Sequence, residues 1–243
     1  MLKSPVVPRS RNQSHAPRSL LAGAGLLACL IVALALLPGS AASAPRKVTV
    51  LGQTQTTPKA ACPTSPCEAV GRVSGFQTRA GATDNPFVVP YNGKIVAWGM
   101  SLSKPKASQQ SFFNNFYGST PQARIGVVSQ VPDKDPPRYE LLRQSPIEVL
   151  TPYLGRTVTF ALDQPMTVKK GDIIALTIPT WAPSFAVGLD DSSGWRASRK
   201  SGACTKTADI KESRPQQKVG SNKQYGCFYK TARLLYTATV VKG

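Results

Sequence analysis

The chain has 243 residues, of which 41% are hydrophobic and 17% charged, and its formal net charge is +18 at pH 7. These proportions are typical of a globular protein and exclude a disordered chain. The single histidine, His15, lies near the N-terminus. The rest of the chain therefore lacks the base of Ser-His-Asp and Cys-His catalysis and cannot form a histidine metal site. We expect no catalytic activity, no bound metal and no cofactor.

Residues 1–44 have the pattern of a targeting segment. The first 19 residues carry four cations and no acid, residues 20–37 are free of charge, and Ala42-Ser43-Ala44 fits an A-x-A cleavage site. The apolar run has 18 residues, which is also enough to span a bilayer. The pattern predicts either a signal peptide or a retained membrane anchor. In both cases the following domain is exported, so we expect a secreted or membrane-tethered extracytoplasmic protein.

Four cysteines follow this segment, namely Cys62, Cys67, Cys204 and Cys227. An even number in an oxidising compartment predicts disulfide bonds. The pairs Cys62–Cys67 and Cys204–Cys227 are favoured because each encloses a local loop. A four-cysteine zinc site is the alternative, but such sites use two closely spaced pairs and only the first pair here is close.

Residues 45–67 are rich in Thr, Pro and Ala and read as a linker with a short strand at 47–51, whereas residues 68–243 read as the domain. Asn92-Gly93 between two apolar runs predicts a β-hairpin. No long amphipathic helix is present, so we expect an all-β, two-sheet antiparallel sandwich, with the jelly roll among the topologies that fit. The predicted strands are 70–76, 87–91, 94–102, 123–131, 138–143, 147–150, 156–162, 172–178 and 232–241.

Two segments do not read as strands. In residues 103–121, four aromatic residues recur at spacings that place them on one face of a short helix, which would either cap the sandwich or form an aromatic binding loop. Residues 190–231 are polar and basic with little periodicity, and we expect a long loop held by the second disulfide. The four aromatic residues are Phe112, Phe113, Phe116 and Tyr117.

Two stretches, 92–98 (NGKIVAW) and 168–179 (VKKGDIIALTIP), resemble the strand pattern of a group of exported proteins. In the second, a V-x-x-G-D-x-I-x-L unit combines a turn at Gly171-Asp172 with inward-pointing Ile174 and Leu176. With these stretches the chain is similar to uncharacterised exported β-sandwich proteins of high-GC Gram-positive bacteria over most of residues 68–241. The resemblance implies a fold and a compartment but no activity.

The basic excess is concentrated in residues 196–233, which contain ten cations against Asp209 and Glu212. A basic segment with interleaved aromatic side chains can hold a polyanion by charge while the rings stack on sugar faces, or it can be a solubilising face. Trp181 lies between two prolines and could either plug the core or stack on a sugar. We expect ligand contacts from Trp181, Trp195, Arg196, Arg199, Lys200, Lys218, Lys223 and Tyr225.

Catalysis by other groups has little support. Asp190-Asp191 and Asp133-Lys134-Asp135 lie in predicted turns, and adjacency does not place two carboxylates roughly 5–9 Å apart across a cleft as a glycosidase requires. Calcium binding at either pair is an alternative. Residues 101–104 match S-x-x-K, but the companion motifs of penicillin-recognising enzymes do not occur.

The sequence therefore predicts an exported, non-catalytic binding or envelope-associated module for an anionic polymer or carbohydrate of the cell envelope. A membrane-anchored structural or protein-interaction domain is the first alternative, and a histidine-free hydrolase using carboxylates is the second. No nucleic-acid-binding motif is present, so nucleic acid is not an expected partner.

Overall fold

The computed structural model describes residues 46–214 and 217–243. The predicted targeting segment, residues 1–44, lies outside the described residues. The protein is mostly β, with 46% strand and 10% helix, which confirms the predicted all-β class. Among the described residues, no helix combines the length and hydropathy needed to cross a bilayer.

The elements are numbered in chain order. The helices are α1 (Ala107–Tyr117) and α2 (Thr207–Glu212), with a 3-10 turn at Thr151–Tyr153. The strands are β1 (Val48–Leu51), β2 (Val70–Ala80), β3 (Thr83–Asp84), β4 (Gly93–Ser101), β5 (Gln122–Val131), β6 (Arg138–Gln144), β7 (Glu148–Val149), β8 (Thr157–Val168), β9 (Ile173–Ala182), β10 (Phe185–Ala186), β11 (Ser193–Ala197), β12 (Asn222–Gln224), β13 (Cys227–Lys230), β14 (Arg233–Leu234) and β15 (Tyr236–Lys242).

Eight strands form two facing antiparallel sheets. One sheet has the order β1-β15-β4-β8, and β6-β5-β9-β2 lie side by side in a larger sheet of nine strands. When these eight strands are renumbered 1 to 8 in chain order, the strand order is 1-8-3-6 in the first sheet and 2-7-4-5 in the second. That order is the connectivity of a jelly roll. The predicted sandwich is confirmed, and the jelly roll is the topology it adopts.

The region from β10 to β14 is an insertion between the seventh and eighth of these strands. β11 and β13 extend the large sheet beyond β2, while β12 extends it beyond β6. The prediction of a long loop over 190–231 was therefore wrong. β11 forms because β2 pairs with one of its edges and β13 with the other. Only Tyr225 and Gly226 separate β12 from β13, although these strands lie at opposite ends of the sheet order.

The main core fills the space between the two sheets. On β15, the predicted alternation is confirmed because Tyr236, Ala238 and Val240 are all buried. On β9, Ile174 and Leu176 are buried in the same cluster, as the turn-strand unit predicted. Alternate burial along each strand is what a sheet with one covered face requires.

The predicted hairpin at Asn92-Gly93 was wrong. β4 already has β15 and β8 on its two edges, so no edge is left for residues 87–91. Instead, Val88 forms an isolated bridge to Ile173 at the start of β9. The Asn92 Oδ1 accepts a hydrogen bond of 2.9 Å from the Lys170 backbone N–H. Asn92 therefore holds the connection from β8 to β9, which passes from the smaller sheet to the larger one.

Helix α1 forms where the aromatic spacing predicted one, and it covers Trp181. The Phe113 ring packs 5.2 Å from the Trp181 ring, and the Trp181 Nε1–H donates to Asn114 Oδ1 at 2.9 Å. Trp181 is completely buried, whereas Phe112 on the same helix remains 58% exposed. Trp181 is therefore a core residue, and its predicted contact with a ligand was wrong.

A second cluster covers the other face of the large sheet. Phe76 and Tyr139 from the sheet pack against Tyr225 of the insertion, with ring centroids 5.8 Å and 4.9 Å from that of Tyr225. Tyr225 is fully buried, and its predicted role as a ligand contact was also wrong. Among the aromatic residues of the basic segment, Tyr225 is therefore part of the core, whereas Phe228 is 40% exposed.

Both predicted disulfides, Cys62–Cys67 and Cys204–Cys227, are confirmed, which removes the zinc alternative. Among the described residues, no group of three or more His, Cys, Asp or Glu side chains is placed to hold a metal ion. Two disulfides are compatible with an extracytoplasmic protein.

Removal of the Cys204–Cys227 disulfide is expected to lower the free energy of unfolding by about 3 kcal/mol, because the bond closes a separation of 23 residues. Urea unfolding of the Cys204→Ser/Cys227→Ser variant measures this. The control, Cys62→Ser/Cys67→Ser, opens a separation of only five residues, so its loss should be smaller. An equal or larger loss in the control would contradict this account.

Candidate anion-binding site

Four cations converge where the insertion meets the large sheet, and we call them the cationic cluster. They are Arg72 in β2, Arg196 in β11, Arg199 just after β11, and Lys223 in β12. The insertion brings Arg196 and Arg199 beside Arg72 because β11 pairs with β2. The Ser198 N–H donates to the Ser74 carbonyl at 2.8 Å, which fixes Arg199 beside the first half of β2.

Arg72 and Arg196 are held by backbone carbonyls. The Arg72 Nε donates to the Ser213 carbonyl at 3.1 Å, and its Nη1 donates to the Tyr117 carbonyl at 3.2 Å. The Arg196 Nη1 donates to the Tyr225 carbonyl at 3.1 Å. Arg72 adopts a left-handed φ of 48° at an irregularity in the pairing of β2 with β9. Each acceptor is neutral, so neither guanidinium charge is compensated there.

Arg199 and Lys223 also have neutral partners. The Arg199 Nη1 donates to the Tyr229 hydroxyl at 2.8 Å, and its Nη2 donates to the Gly71 carbonyl at 2.9 Å. The Lys223 Nζ donates to the Arg214 carbonyl. Within the described ranges, no carboxylate is hydrogen-bonded or ion-paired to any member of the cluster.

The cluster is electrostatically unfavourable as it stands. Burial, and after it the nearby charge of Arg199, lower the pKa of Lys223 from 10.5 to about 8. Arg199 itself is only 7% exposed, and buried cations are normally paired with an acid. An anion that reached the cluster would supply the missing charge and accept charge-assisted hydrogen bonds.

A cavity of about 500 Å³ adjoins the cluster at Arg199. It opens where the chain entering β2, the end of α1, α2 and the edge strand β13 meet. The Trp195 ring lies in its wall, stacked at 4.7 Å on the Tyr229 ring and edge-on to Phe185 at 5.9 Å. Trp195 is 2% exposed and borders the cavity, so it has little surface for the ligand contact predicted for it.

The eight predicted ligand residues thus separate into groups. Arg196, Arg199 and Lys223 come together in the cluster, and Trp195 borders the adjoining cavity. Lys200 and Lys218 are exposed, the first directly after Arg199 and the second in the turn before β12. Trp181 and Tyr225 are core residues. Sequence reasoning missed Arg72 because its partner Ser213 lies 141 residues away in the chain.

The carboxylates and the S-x-x-K match that the sequence offered as alternative sites lie in local turns or at the end of a strand. Asp190 accepts hydrogen bonds from the hydroxyl and the backbone N–H of Ser192, which lower its pKa and close a local turn. Asp133 and Asp135 are exposed in the turn between β5 and β6. Ser101 of the S-x-x-K match lies 3.1 Å from the Thr157 hydroxyl at the end of β4, a cross-strand contact.

The fold and the site together define a disulfide-bonded jelly roll with an uncompensated cationic cluster beside a cavity. No family model, no curated protein and no solved structure matches this chain. The resemblance to exported β-sandwich proteins therefore stays a prediction.

Lys223 should make stability depend on pH. Below pH 8 it is charged in the folded and the unfolded chain, whereas between pH 8 and 10.5 it loses its proton only in the folded chain. The cost of keeping its charge in the fold is therefore relieved as pH rises, and the free energy of unfolding should rise in this window relative to Lys223→Met. Urea unfolding across the window measures the difference. The control is Lys94→Met, at an exposed lysine of β4, and parallel profiles for wild type and Lys223→Met would contradict the assignment.

Proposed function

We propose that this domain is an extracytoplasmic, non-catalytic module that binds an anionic polymer or carbohydrate of the cell envelope. The observation that supports the proposal best is the cationic cluster, in which Arg72, Arg196, Arg199 and Lys223 have only neutral hydrogen-bond partners. The cluster is built by the fold rather than by a flexible tail, so its charges are held in place before a ligand arrives.

Charge and shape both favour an anion. Guanidinium groups match the planar geometry of carboxylates and the oxygens of phosphates and sulfates, and such contacts are stronger than neutral hydrogen bonds. The exposed Lys200 and Lys218 add positive potential around the cluster, which attracts a polyanion over about one Debye length. A polymer presents many anionic groups in series and so can contact the cluster and the outer lysines together.

The compartment is supported by two separate features. The two disulfides are compatible with an oxidising environment. The sequence of residues 1–44 predicts a signal peptide or an anchor, so the domain would be secreted or tethered to the membrane through residues 20–37. A membrane tether would keep the cluster close to the envelope. A secreted domain would be retained at the envelope only by the binding of the cluster.

Binding to immobilised polygalacturonate, heparin and poly(glycerol phosphate) tests the proposal, with uncharged dextran as the comparison polymer. We expect binding to at least one anionic polymer that weakens as salt rises from about 0.05 to 0.5 M, because screening shortens the range of the attraction. The Arg196→Gln/Lys223→Gln variant should bind that polymer about tenfold more weakly or worse, since it removes two charge-assisted contacts.

The matched control is Lys94→Gln/Lys170→Gln, which removes the same charge from exposed lysines outside the cluster. We expect it to retain most of the affinity. Equal losses in the two variants would mean that only net charge matters and would contradict a site at the cluster. Binding that did not respond to salt would contradict an anionic ligand.

A further inference from the structure

One aromatic ring of the insertion stays at the surface beside the cationic cluster. Phe228 lies on the edge strand β13 directly opposite Arg196 of β11, and the Arg196 guanidinium carbon is 5.8 Å from the centre of the Phe228 ring. Phe228 is 40% exposed and Arg196 is half-buried. Both side chains therefore reach solvent, where one ligand can contact them together.

The position of the ring is set by a glycine. A Cβ atom at Gly194 would lie 2.6 Å from the Phe228 Cζ, so the ring occupies space that any other residue at this position would fill. Gly194 pairs with Lys230, which is exposed on the same face of β13 as Phe228. The ring thus lies along β11 between two cationic positions, and a group that is held before binding loses less entropy when a ligand arrives.

From this arrangement we infer that Phe228 stacks on a sugar ring and that the polymer is an acidic polysaccharide of the uronate type. The inference rests on the proposed function and narrows its ligand class. One face of a sugar ring presents C–H groups, which pack against an aromatic ring. In a uronate the carboxylate is bonded directly to a carbon of that ring, so its apolar face and its charge are neighbours, as Phe228 and Arg196 are. A polyol phosphate chain carries the charge without the ring.

The aromatic residues of α1 do not offer the same combination. Phe112 is more exposed than Phe228, at 58%, and it stacks on Phe116 with the ring centres 5.8 Å apart. However, α1 contains no charged residue from Ala107 to Tyr117. A uronate on this helix would have a surface for its ring but no guanidinium of the same element for its carboxylate. Phe112 is therefore a matched control for exposed aromatic surface outside the cluster.

Binding of polygalacturonate and of poly(glycerol phosphate) to wild-type protein, Phe228→Ala and Phe112→Ala tests the inference. The three proteins have the same charge, so salt screens their binding equally. We expect Phe228→Ala to weaken polygalacturonate about fivefold and to leave poly(glycerol phosphate) within about twofold, with Phe112→Ala leaving both polymers within about twofold. No binding of polygalacturonate by the wild-type protein, or a loss in Phe112→Ala as large as in Phe228→Ala, would overturn the inference.

Three further variants separate the face of the ring from its bulk. Phe228→Tyr retains the ring and should keep the affinity for polygalacturonate, whereas Phe228→Leu retains apolar volume without the flat face and should lose about as much as Phe228→Ala. Gly194→Ala leaves Phe228 in the sequence but displaces its ring, so it should weaken polygalacturonate in the same way. Full affinity of Phe228→Leu would mean that apolar area alone is needed and would remove the stacking role.

Contact between the aromatic ring and the sugar is read directly by proton NMR of trigalacturonate. Protons that lie over an aromatic face are shielded by its ring current, so the ring C–H signals of the sugar should move upfield when wild-type protein is added. Phe228→Ala, at a concentration that binds the same fraction of trigalacturonate, should not move them upfield. Contacts between charges do not produce this shielding, and an absent shift or an equal shift with the two proteins would contradict the inference.

The inference and the proposed function fail separately. The Arg196→Gln/Lys223→Gln variant should weaken both anionic polymers, because it removes charge that each of them needs. If it does so while Phe228→Ala weakens both polymers equally or neither, the proposed function holds and the uronate class is wrong. If the upfield shift depends on Phe228 but binding does not respond to salt, the stacking role holds and the anionic ligand is wrong.

Discussion

The short link between β12 and β13 constrains the whole large sheet. β12 pairs with β6 and β13 pairs with β11, yet only Tyr225 and Gly226 lie between Gln224 and Cys227. Three residue steps reach at most about 10–11 Å, so the two ends of the sheet must curl toward each other. Tyr225 then lies inside the curl against Phe76 and Tyr139, and the cations that flank it are gathered on the same side.

The cationic cluster is a consequence of that curl. Backbone carbonyls from distant parts of the chain, those of Gly71, Tyr117, Ser213 and Tyr225, hold the guanidinium groups in place but bring no negative charge. A site that only needed stability would be expected to include an acid, because neutral acceptors do not offset the repulsion between cations. The lack of an acid in the cluster is the feature on which the proposal of an anionic ligand rests.

Features determined by local pattern could be read from the sequence, and features determined by distant pairing could not. The alternation of Tyr236, Ala238 and Val240 gave β15, and the spacing of the cysteines gave both disulfides. Asn92-Gly93 has the composition of a hairpin turn, but no hairpin forms there because β15 and β8 occupy both edges of β4. Trp181 and Tyr225 were predicted to contact a ligand because the sequence around an aromatic residue does not show whether its ring is buried in the core or exposed. The Arg72 contact joins residues 141 apart, beyond any local pattern.

The second cluster lies between the large sheet and the insertion that covers it. A chain without residues 183–235 would still contain all eight jelly-roll strands, but its large sheet would present Val128, Tyr139 and Leu141 to water beside Phe76. Such a surface invites self-association. The residues from β10 to β14 therefore protect an apolar face that the eight-strand sandwich alone would leave in contact with water, so the insertion contributes to solubility as well as to the cationic cluster.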